Sequence, residues 1–211
     1  MENINTKDYW ESRFKSKNWG KSGNRQTKEY AIANVSKMSL SKNFNGSILD
    51  YGCALGDAIP IYHKAFPNAK LRGIDFSRIA IKTCENNYGN IAKFESGNYE
   101  IVKKQDIIIA SHVMEHLTDD KIVVDELLSR CNELYIFVPY MENPLYIEHV
   151  NYYEEDYYDD FEVLEKKVFL VSYEYKMSVK DRIKSFLNGK YTSIGRFSKE
   201  IIMFRIKGSI L

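Results

Sequence analysis

An apolar run that ends in an acid and leads directly into a glycine-spaced turn constrains the fold of this chain more than any other feature. The run and turn occupy residues 48–57, with the sequence Ile-Leu-Asp-Tyr-Gly-Cys-Ala-Leu-Gly-Asp. A second apolar run, residues 71–75, also ends in an acid, Asp75. The separation of Gly56 from Asp75 matches the roughly 20 residues between a nucleotide-binding glycine turn and the acid that holds the ribose hydroxyls. We therefore expect a strand–turn–helix–strand unit that binds a nucleotide-like ligand.

The order of the acid and the glycines indicates which kind of nucleotide is bound. A dinucleotide-binding fold uses Gly-x-Gly-x-x-Gly, with its acid only after the second strand. Here Asp50 precedes Gly52 and Gly56, and the chain has no Gly-x-x-x-x-Gly-Lys phosphate loop. Glycines let the backbone approach a ligand where a side chain would collide. An acid in front of them favours a cationic or amine-bearing ligand over a phosphate.

This segment resembles the first motif, Asp/Glu-x-Gly-x-Gly-x-Gly, of the class I S-adenosylmethionine (SAM) methyltransferases. The chain departs from the motif at Ala54, where the family usually has its second glycine. The resemblance implies that SAM is the cofactor. It also implies a set of cofactor-binding positions: Asp50, Gly52 and Gly56 at the methionine half, Asp75 at the ribose, Phe76 and Asn98 at the adenine, Ser111 at the end of the fourth strand, and Tyr9 and Trp10 as a cover. Tyr9 and Trp10 could equally be core residues.

The alternation of strands and helices after residue 46 predicts an α/β fold with a doubly wound, Rossmann-like sheet and helices on both faces. Five strands are predicted at 47–50, 70–75, 92–95, 106–110 and 134–138. The continuous apolar run Ile107–Ile109 suits a mostly parallel sheet that is covered on both faces. Two later strands, 161–170 and 201–207, would be the sixth strand and the antiparallel seventh strand that the resemblance implies.

The predicted domain organisation is a single domain over residues 1–211. It has an N-terminal helical cap, 1–40, and a basic insertion, 172–199, near the substrate site. Within the cap, helices are predicted at 6–17 and 26–38, with a loop at 19–24.

Composition excludes several classes of function. The net charge of +1 argues against a dedicated nucleic-acid binder. The 3 cysteines fit neither a disulfide framework nor a zinc pattern. No apolar run is long enough to span a bilayer, and the first residues lack the apolar core of a signal peptide. We therefore expect a cytoplasmic protein without membrane insertion. Its oligomeric state is not readable from the sequence.

A second group of chemically active residues follows the predicted fourth and fifth strands. His112, Glu115 and His116 would share one face if their segment were helical, and His149 could reach the same place from the next strand. Three imidazoles and a carboxylate make a divalent-metal site plausible. Two alternatives remain open. In one, His112 or His149 is a general base without a metal, and in the other Glu115 and His116 only support the structure.

The same segment resembles the Glu-x-x-Glu-His metal site of methyltransferases that modify the terminal ribose of small RNAs. Similar residues occur in ubiquinone-pathway O-methyltransferases. The chain departs at His112, where those families have a glutamate. Imidazole in place of a hard oxygen ligand would favour Mn, Fe, Co or Zn over Mg.

These patterns predict a SAM-dependent O-methyltransferase, with His112 and His149 as the catalytic residues. An alcohol is a weak nucleophile near neutral pH, so it needs a base or a metal. By analogy with relatives, the acceptor would be a small molecule, such as a sugar, a sugar nucleotide or a phosphorylated precursor of a bacterial surface polysaccharide. The alternatives are an RNA ribose 2′-O-methyltransferase, which the net charge disfavours, and a catalytically silent SAM-binding subunit.

Overall fold

The computed structural model describes residues 4–16, 19–176 and 194–210, together with residues 182, 183 and 187. Its helices and strands alternate along the central part of the chain, as predicted. The elements are α1 (Lys7–Lys15), α2 (Trp19–Lys37), β1 (Ser47–Tyr51), α3 (Ile59–Ala65), β2 (Lys70–Asp75), α4 (Arg78–Tyr88), β3 (Ala92–Ser96), β4 (Gln105–Ser111), α5 (Asp120–Leu128), β5 (Cys131–Pro139), β6 (Val163–Lys176) and β7 (Ile194–Lys207), with 3-10 turns at Tyr99–Ile101 and Met114–His116.

The seven strands form one sheet in the order β3-β2-β1-β4-β5-β7-β6. Strands β1 to β5 pair in parallel, and β7 runs antiparallel to both β5 and β6. The predicted mostly parallel sheet with an antiparallel seventh strand is therefore confirmed. The chain leaves β1 in one direction for β2 and later returns to its other side with β4. Ligands of such sheets bind at the carboxyl ends of the strands beside this switch point.

Apolar side chains cover both faces of the sheet. One cluster joins the sheet to α2, α3 and α4, and the other joins it to α5 and the segment 153–161. In β4, Ile107 and Ile109 face the first cluster while Ile108 faces the second. All three are at most 3% exposed. This double burial explains why the strand is an unbroken apolar run, because successive side chains point to opposite faces.

The helical cap differs from its prediction at one point. Residues 19–24 are not a loop, because α2 already begins at Trp19. The Trp19 ring packs edge-on against Trp10 and Phe14, at centroid distances of 6.1 and 5.6 Å. Packing of this large side chain outweighs the helix-breaking tendency of the glycines in the segment. Thr6 caps the first helix, since its side chain accepts from the backbone N–H of Tyr9.

The predicted basic insertion 172–199 falls partly on described residues. Residues 172–176 continue β6 and residues 194–199 open β7, so these two strands are longer than the sequence predicted. Residues 177–181, 184–186 and 188–193 lie outside the described part of the chain. In the described part, the two strands form a long antiparallel hairpin beside α2.

Candidate active site

The glycine turn after β1 adopts the backbone conformation that its sequence motif requires. Gly52 has φ +74° and Gly56 has φ +79°, and a Cβ atom on Gly52 would collide with Val113. Ala54 lies between them with φ +47°, also in the left-handed region. This conformation costs a residue with a Cβ about 1–2 kcal/mol. Ala54 therefore reproduces the shape of the usual second glycine at an energetic cost.

Asp75 is fixed at the end of β2 by the turn that it faces. Its Oδ2 accepts from the backbone N–H of Ala54 at 3.0 Å, and its Oδ1 accepts from that of Ser77 at 2.9 Å. Burial raises the pKa of Asp75 to about 6, although these two hydrogen bonds oppose the rise. The carboxylate thus lies beside the glycine turn, where the motif predicts the ribose.

The two predicted adenine contacts flank Asp75. Phe76 directly follows it and is 37% exposed. The Oδ1 atom of Asn98 accepts from the backbone N–H of Glu100 at 3.1 Å and so caps a 3-10 turn. The amide oxygen expected to bind the adenine amino group therefore already has one donor. Both contacts stay predictions.

Asp50 is buried at the end of β1. Burial, together with the charge of Asp75, raises the pKa of Asp50 to about 8. Within the described part of the chain, no donor is hydrogen-bonded to its carboxylate. A cationic group brought next to Asp50 would stabilise its ionised form. This is the property expected of a site for the ammonium of a methionine moiety.

Helix α1 lies over the glycine turn. Trp10 is 8% exposed and belongs to an apolar cluster that includes Phe14, Ala80, Ala54 and Leu55. The Tyr9 hydroxyl and the Arg13 guanidinium both bond to the Glu148 carboxylate. Trp10 is thus a core residue of the cap that also borders the turn. Contact of Tyr9 and Trp10 with the cofactor stays a prediction.

His112 follows β4 and is held by three interactions. Its Nδ1 lies 2.9 Å from Oε1 of Glu115, and its ring stacks on Tyr30 at a centroid distance of 3.8 Å. Its backbone has φ +55°, and its N–H donates to the carbonyl of Phe137. The Nε2 of His112 and the Oε2 of Glu115 are both buried and have no hydrogen-bond partner among the described residues.

The charge state of this pair follows from its surroundings. Glu115 is completely buried, which by itself would raise its pKa. The neighbouring His112, His116 and His149 outweigh that effect and hold the pKa of Glu115 below its ordinary value. Glu115 is therefore a carboxylate near neutral pH. It accepts the Nδ1 proton of His112, which leaves the lone pair of His112 on Nε2.

The other two histidines have the same arrangement. Nδ1 of His116 lies 2.9 Å from the carbonyl oxygen of Glu148, and Nδ1 of His149 bonds to the Glu142 carboxylate. Burial lowers the pKa of His116, so its ring is neutral at pH 7. Glu142 is in turn bonded by Lys199 of β7. Burial would raise the pKa of Glu142, but His149 and Lys199 lower it to about 2.

Three of the four predicted metal ligands come together. One ligand atom from each of Glu115, His116 and His149 lies within 4.8 Å of the others. His112 is not part of this group, which is the one such group in the described part of the chain. The segment forms a 3-10 turn over 114–116 instead of a helix beginning at 112. The His112 side chain consequently contacts Glu115 and Tyr30. It is not part of the group that could hold a metal, unlike His116 and His149.

The sequence did not predict several residues that lie at the site. Asn34 of α2 is fully buried, donates to the Ser111 hydroxyl at 2.9 Å, and has an Oδ1 without a hydrogen-bond partner among the described residues. Tyr30 lies one helical turn before it. No sequence pattern indicates that Tyr30 and Asn34 belong to the site, because α2 is far along the chain from the end of β4. Glu142 had a usable signal, since it closely follows the end of β5.

Comparison with known protein families matches part of the chain to a domain. A methyltransferase-domain family matches residues 49–134, which include the glycine turn, Asp75 and the segment from His112 to His116. The enzyme is a SAM-dependent methyltransferase. The predicted fold and enzyme class are thereby confirmed. Among curated proteins, none matches the sequence of this methyltransferase.

Solved structures share its fold at low sequence identity. A chain of the complex between the Haloferax volcanii Trm112 methyltransferase activator and a methyltransferase has a TM-score of 0.70 and 11% identity, with 97% of this chain and 100% of that chain covered. The plantazolicin methyltransferase BpumL in complex with SAH has a TM-score of 0.60 and 16% identity, with coverages of 97% and 92%. Coclaurine N-methyltransferase bound to N-methylheliamine and SAH has a TM-score of 0.57 and 11% identity, with coverages of 84% and 72%. No helix in the described part of this methyltransferase is both long and apolar enough to cross a membrane.

Proposed function

We propose that this methyltransferase transfers the methyl group of SAM to an oxygen of a small molecule, and that the oxygen belongs to a hydroxyl of a sugar or sugar nucleotide. The observation that carries the proposal is the fixed orientation of three imidazoles, His112, His116 and His149, in the segments that follow β4 and β5. Each ring is fixed through Nδ1 by an oxygen acceptor, which leaves Nε2 as the basic nitrogen. Such a site suits a nucleophile that must lose a proton before it reacts.

The methyl donor supplies an already activated methyl group, so the chain has two tasks. The first is to position the donor. Asp50 would hold its ammonium, Asp75 would accept from its ribose hydroxyls, and Gly52 and Gly56 would admit it close to the backbone. Positioning two reactants in line contributes much of the rate of such a transfer.

The second task is to remove one proton from the acceptor. We assign it to His112, because its Nε2 is buried without a partner and its Nδ1 is bound to a carboxylate. Glu115 fixes the tautomer and stabilises the imidazolium that forms when Nε2 takes the proton, as the acid does in a Ser-His-Asp triad. The proton passes from the acceptor hydroxyl to His112 while the oxygen bonds to the methyl carbon and the sulfur leaves with the electron pair.

Glu115, His116 and His149 would hold a divalent metal such as Mn, Fe, Co or Zn. The donor set fits, because metal-binding histidines normally donate their other ring N–H to a carboxylate or a backbone carbonyl. Glu142 and the Glu148 carbonyl are such partners here. A metal at this position would lower the pKa of an acceptor hydroxyl.

A phosphate-type oxygen as the methyl acceptor has less support. In the described part of the hairpin, Arg196 is paired with Glu174 and Lys199 with Glu142. Arg25 of α2 lies 3.8 Å from Glu29. Paired cations offer little net charge to a phosphate at the reacting position. A partner protein, as in the Trm112 complex, is compatible with the fold, but no contact among the described residues specifies one.

The test is methyl transfer from radiolabelled SAM to a panel of sugars and sugar nucleotides, with metal content measured on the same samples. We expect His149→Ala to lose the metal and the activity, whereas His112→Ala keeps the metal and loses about 100-fold or more in kcat. His63→Ala is the matched control, because this histidine of α3 is exposed and does not follow β4 or β5. Near-normal turnover in both His112→Ala and His149→Ala would refute the proposal.

A further inference from the structure

A column of aromatic rings runs from His112 to the edge of the hairpin. Tyr30 stacks on His112 with an interplanar angle of 24°. Phe197 meets Tyr30 edge-on at 6.0 Å, and Tyr173 stacks on Phe197 at 4.9 Å. The guanidinium of Arg25 lies 5.3 Å from the centroid of Tyr173. Two rings come from the hairpin, while Tyr30 and Arg25 come from α2.

The geometry of each element explains why the column is continuous. Tyr173 and Phe197 are direct partners across β6 and β7, so their side chains lie on the same face of the sheet. On α2, Tyr30 is buried and its hydroxyl accepts from Gln26, one turn earlier. The column therefore packs the cap against the hairpin and ends at the histidine.

His112 needs such support. Its backbone has φ +55°, a conformation that costs about 1–3 kcal/mol and persists only where the surroundings over-determine it. Glu115 holds one ring nitrogen by a hydrogen bond. The flat ring of Tyr30, stacked at 3.8 Å, also opposes rotation of the imidazole about its Cβ–Cγ bond. Stacking of two rings contributes about 0.5–1.5 kcal/mol beyond the area that it buries.

We propose that Tyr30 is a positioning residue, which aims Nε2 of His112 at the acceptor and transmits the packing of the hairpin to the proton acceptor. The proposal rests on the function proposed above, because it assumes that His112 accepts the proton. Tyr30 itself touches His112 and not the reacting atoms. Its ring is what matters, and its hydroxyl is already occupied by Gln26.

The test compares Tyr30→Leu with Tyr30→Phe, and with Phe169→Leu as a control. Phe169 is a buried aromatic of β6 that packs on Phe137 outside the column. We expect Tyr30→Leu to lower kcat about 10-fold while the KM for SAM and the metal content stay constant, because a misaimed base costs rate and not binding. Tyr30→Phe should stay within about twofold of wild type, and Phe169→Leu should lose stability without losing kcat.

A second readout does not depend on turnover. The chain has 4 histidines, so the ring signals of a protein labelled with ¹⁵N-histidine can be assigned with His112→Gln. At one fixed pH, Tyr30→Leu should shift the His112 ring signals and leave those of His63 in place. Phe197→Leu should shift them in the same direction by less, and it covers the case in which Tyr30→Leu does not fold.

The outcomes separate the two proposals. Unchanged His112 signals in both Tyr30→Leu and Phe197→Leu would overturn the positioning role even if the enzyme is active. So would a kcat loss in Phe169→Leu as large as that in Tyr30→Leu. If wild type transfers methyl groups to no hydroxyl acceptor, the proposed function fails, and the ring signals still decide whether Tyr30 orients His112.

Discussion

Two buried acids, five residues apart in the same segment, have opposite surroundings. Asp120 is 3% exposed and accepts hydrogen bonds from the hydroxyls of Tyr153, Tyr157 and Tyr158 and from the backbone N–H of Lys121. Glu115 is fully buried and keeps one oxygen without a partner among the described residues. Buried polar groups are normally satisfied, so an exception needs a reason. All the hydrogen bonds of Asp120 are made within the chain, whereas Glu115 keeps one oxygen available for the ligand proposed above.

The backbone shows the same contrast. In the described part of the chain, three residues other than glycine have a positive φ, namely Ala54, His112 and Met141. They follow β1, β4 and β5, at the edge of the sheet where the site lies. The segment around Asp120 contains none of them. Strained backbone of this kind clusters at functional sites, because the rest of the fold can hold it in place.

The sharpest test of this contrast exchanges each acid for its amide. We expect Glu115→Gln to lower methyl transfer about 100-fold, since it removes the charge that stabilises the imidazolium of His112. Its free energy of unfolding should change by less than about 1 kcal/mol. Asp120→Asn should do the reverse and cost about 2–3 kcal/mol, because a donor replaces an acceptor that faces tyrosine hydroxyls.

Urea denaturation and kcat per folded molecule, measured on both variants, distinguish the two roles. If Glu115→Gln destabilised the protein as much as Asp120→Asn and kept its activity, Glu115 would be a structural acid and the contrast would disappear.

The sequence predicted the core of the fold because the buried strands there are short apolar runs, which are visible in the sequence itself. The runs that became β1 to β5 are apolar, and Ser77 caps α4 by accepting from the N–H of Ala80. The cap and the hairpin were predicted less well. Trp19 turns a loop signal into helix by packing on Trp10, and β6 and β7 extend by pairing with each other over 14 residues each.

The same reasoning applies to the candidate site. The sequence indicated which residues gather, since acids and histidines follow strand ends that meet at one edge. It did not indicate which ring nitrogen each histidine uses. That depends on the oxygens that bind the Nδ1 atoms, which belong to Glu115, the carbonyl of Glu148 and Glu142. Which residue accepts the hydrogen bond of a given histidine depends on the tertiary structure, and the spacing of residues in the sequence does not predict it.

Asp50 extends the comparison to a third acid. Its pKa is raised to about 8, so the folded state binds a proton that the unfolded chain releases near pH 4. Its contribution to stability is therefore present below pH 4 and is lost as the pH rises towards 8. Relative to wild type, Asp50→Asn should gain about 4 kcal/mol of unfolding free energy between pH 5 and pH 9, at about 1.4 kcal/mol for each pH unit up to pH 8.

The same variant should bind SAM about 10-fold more weakly, because the ammonium loses its counter-charge. Thermal unfolding at a series of pH values and calorimetric titration with SAM measure the two effects. A stability difference that does not vary with pH would show that the folded protein does not raise the pKa of Asp50.

The smallest effect concerns the strained backbone. Ala54→Gly should raise the free energy of unfolding by about 0.5 kcal/mol, since relief of the left-handed conformation exceeds the entropy that glycine adds to the unfolded chain. Ala33→Gly, in the interior of α2, is the matched control and should lose about 1 kcal/mol. Equal losses in both variants, measured by denaturant titration, would mean that the turn is not strained.

Helix α1 has a kinetic consequence. It lies over the glycine turn and is tied through Tyr9 and Arg13 to Glu148, whose carbonyl also holds His116. If α1 covers SAM as predicted, exchange of SAM for its demethylated product requires these ties to Glu148 to break. We therefore expect donor exchange to loosen the backbone that holds His116, so that the donor is seated before the acceptor reacts.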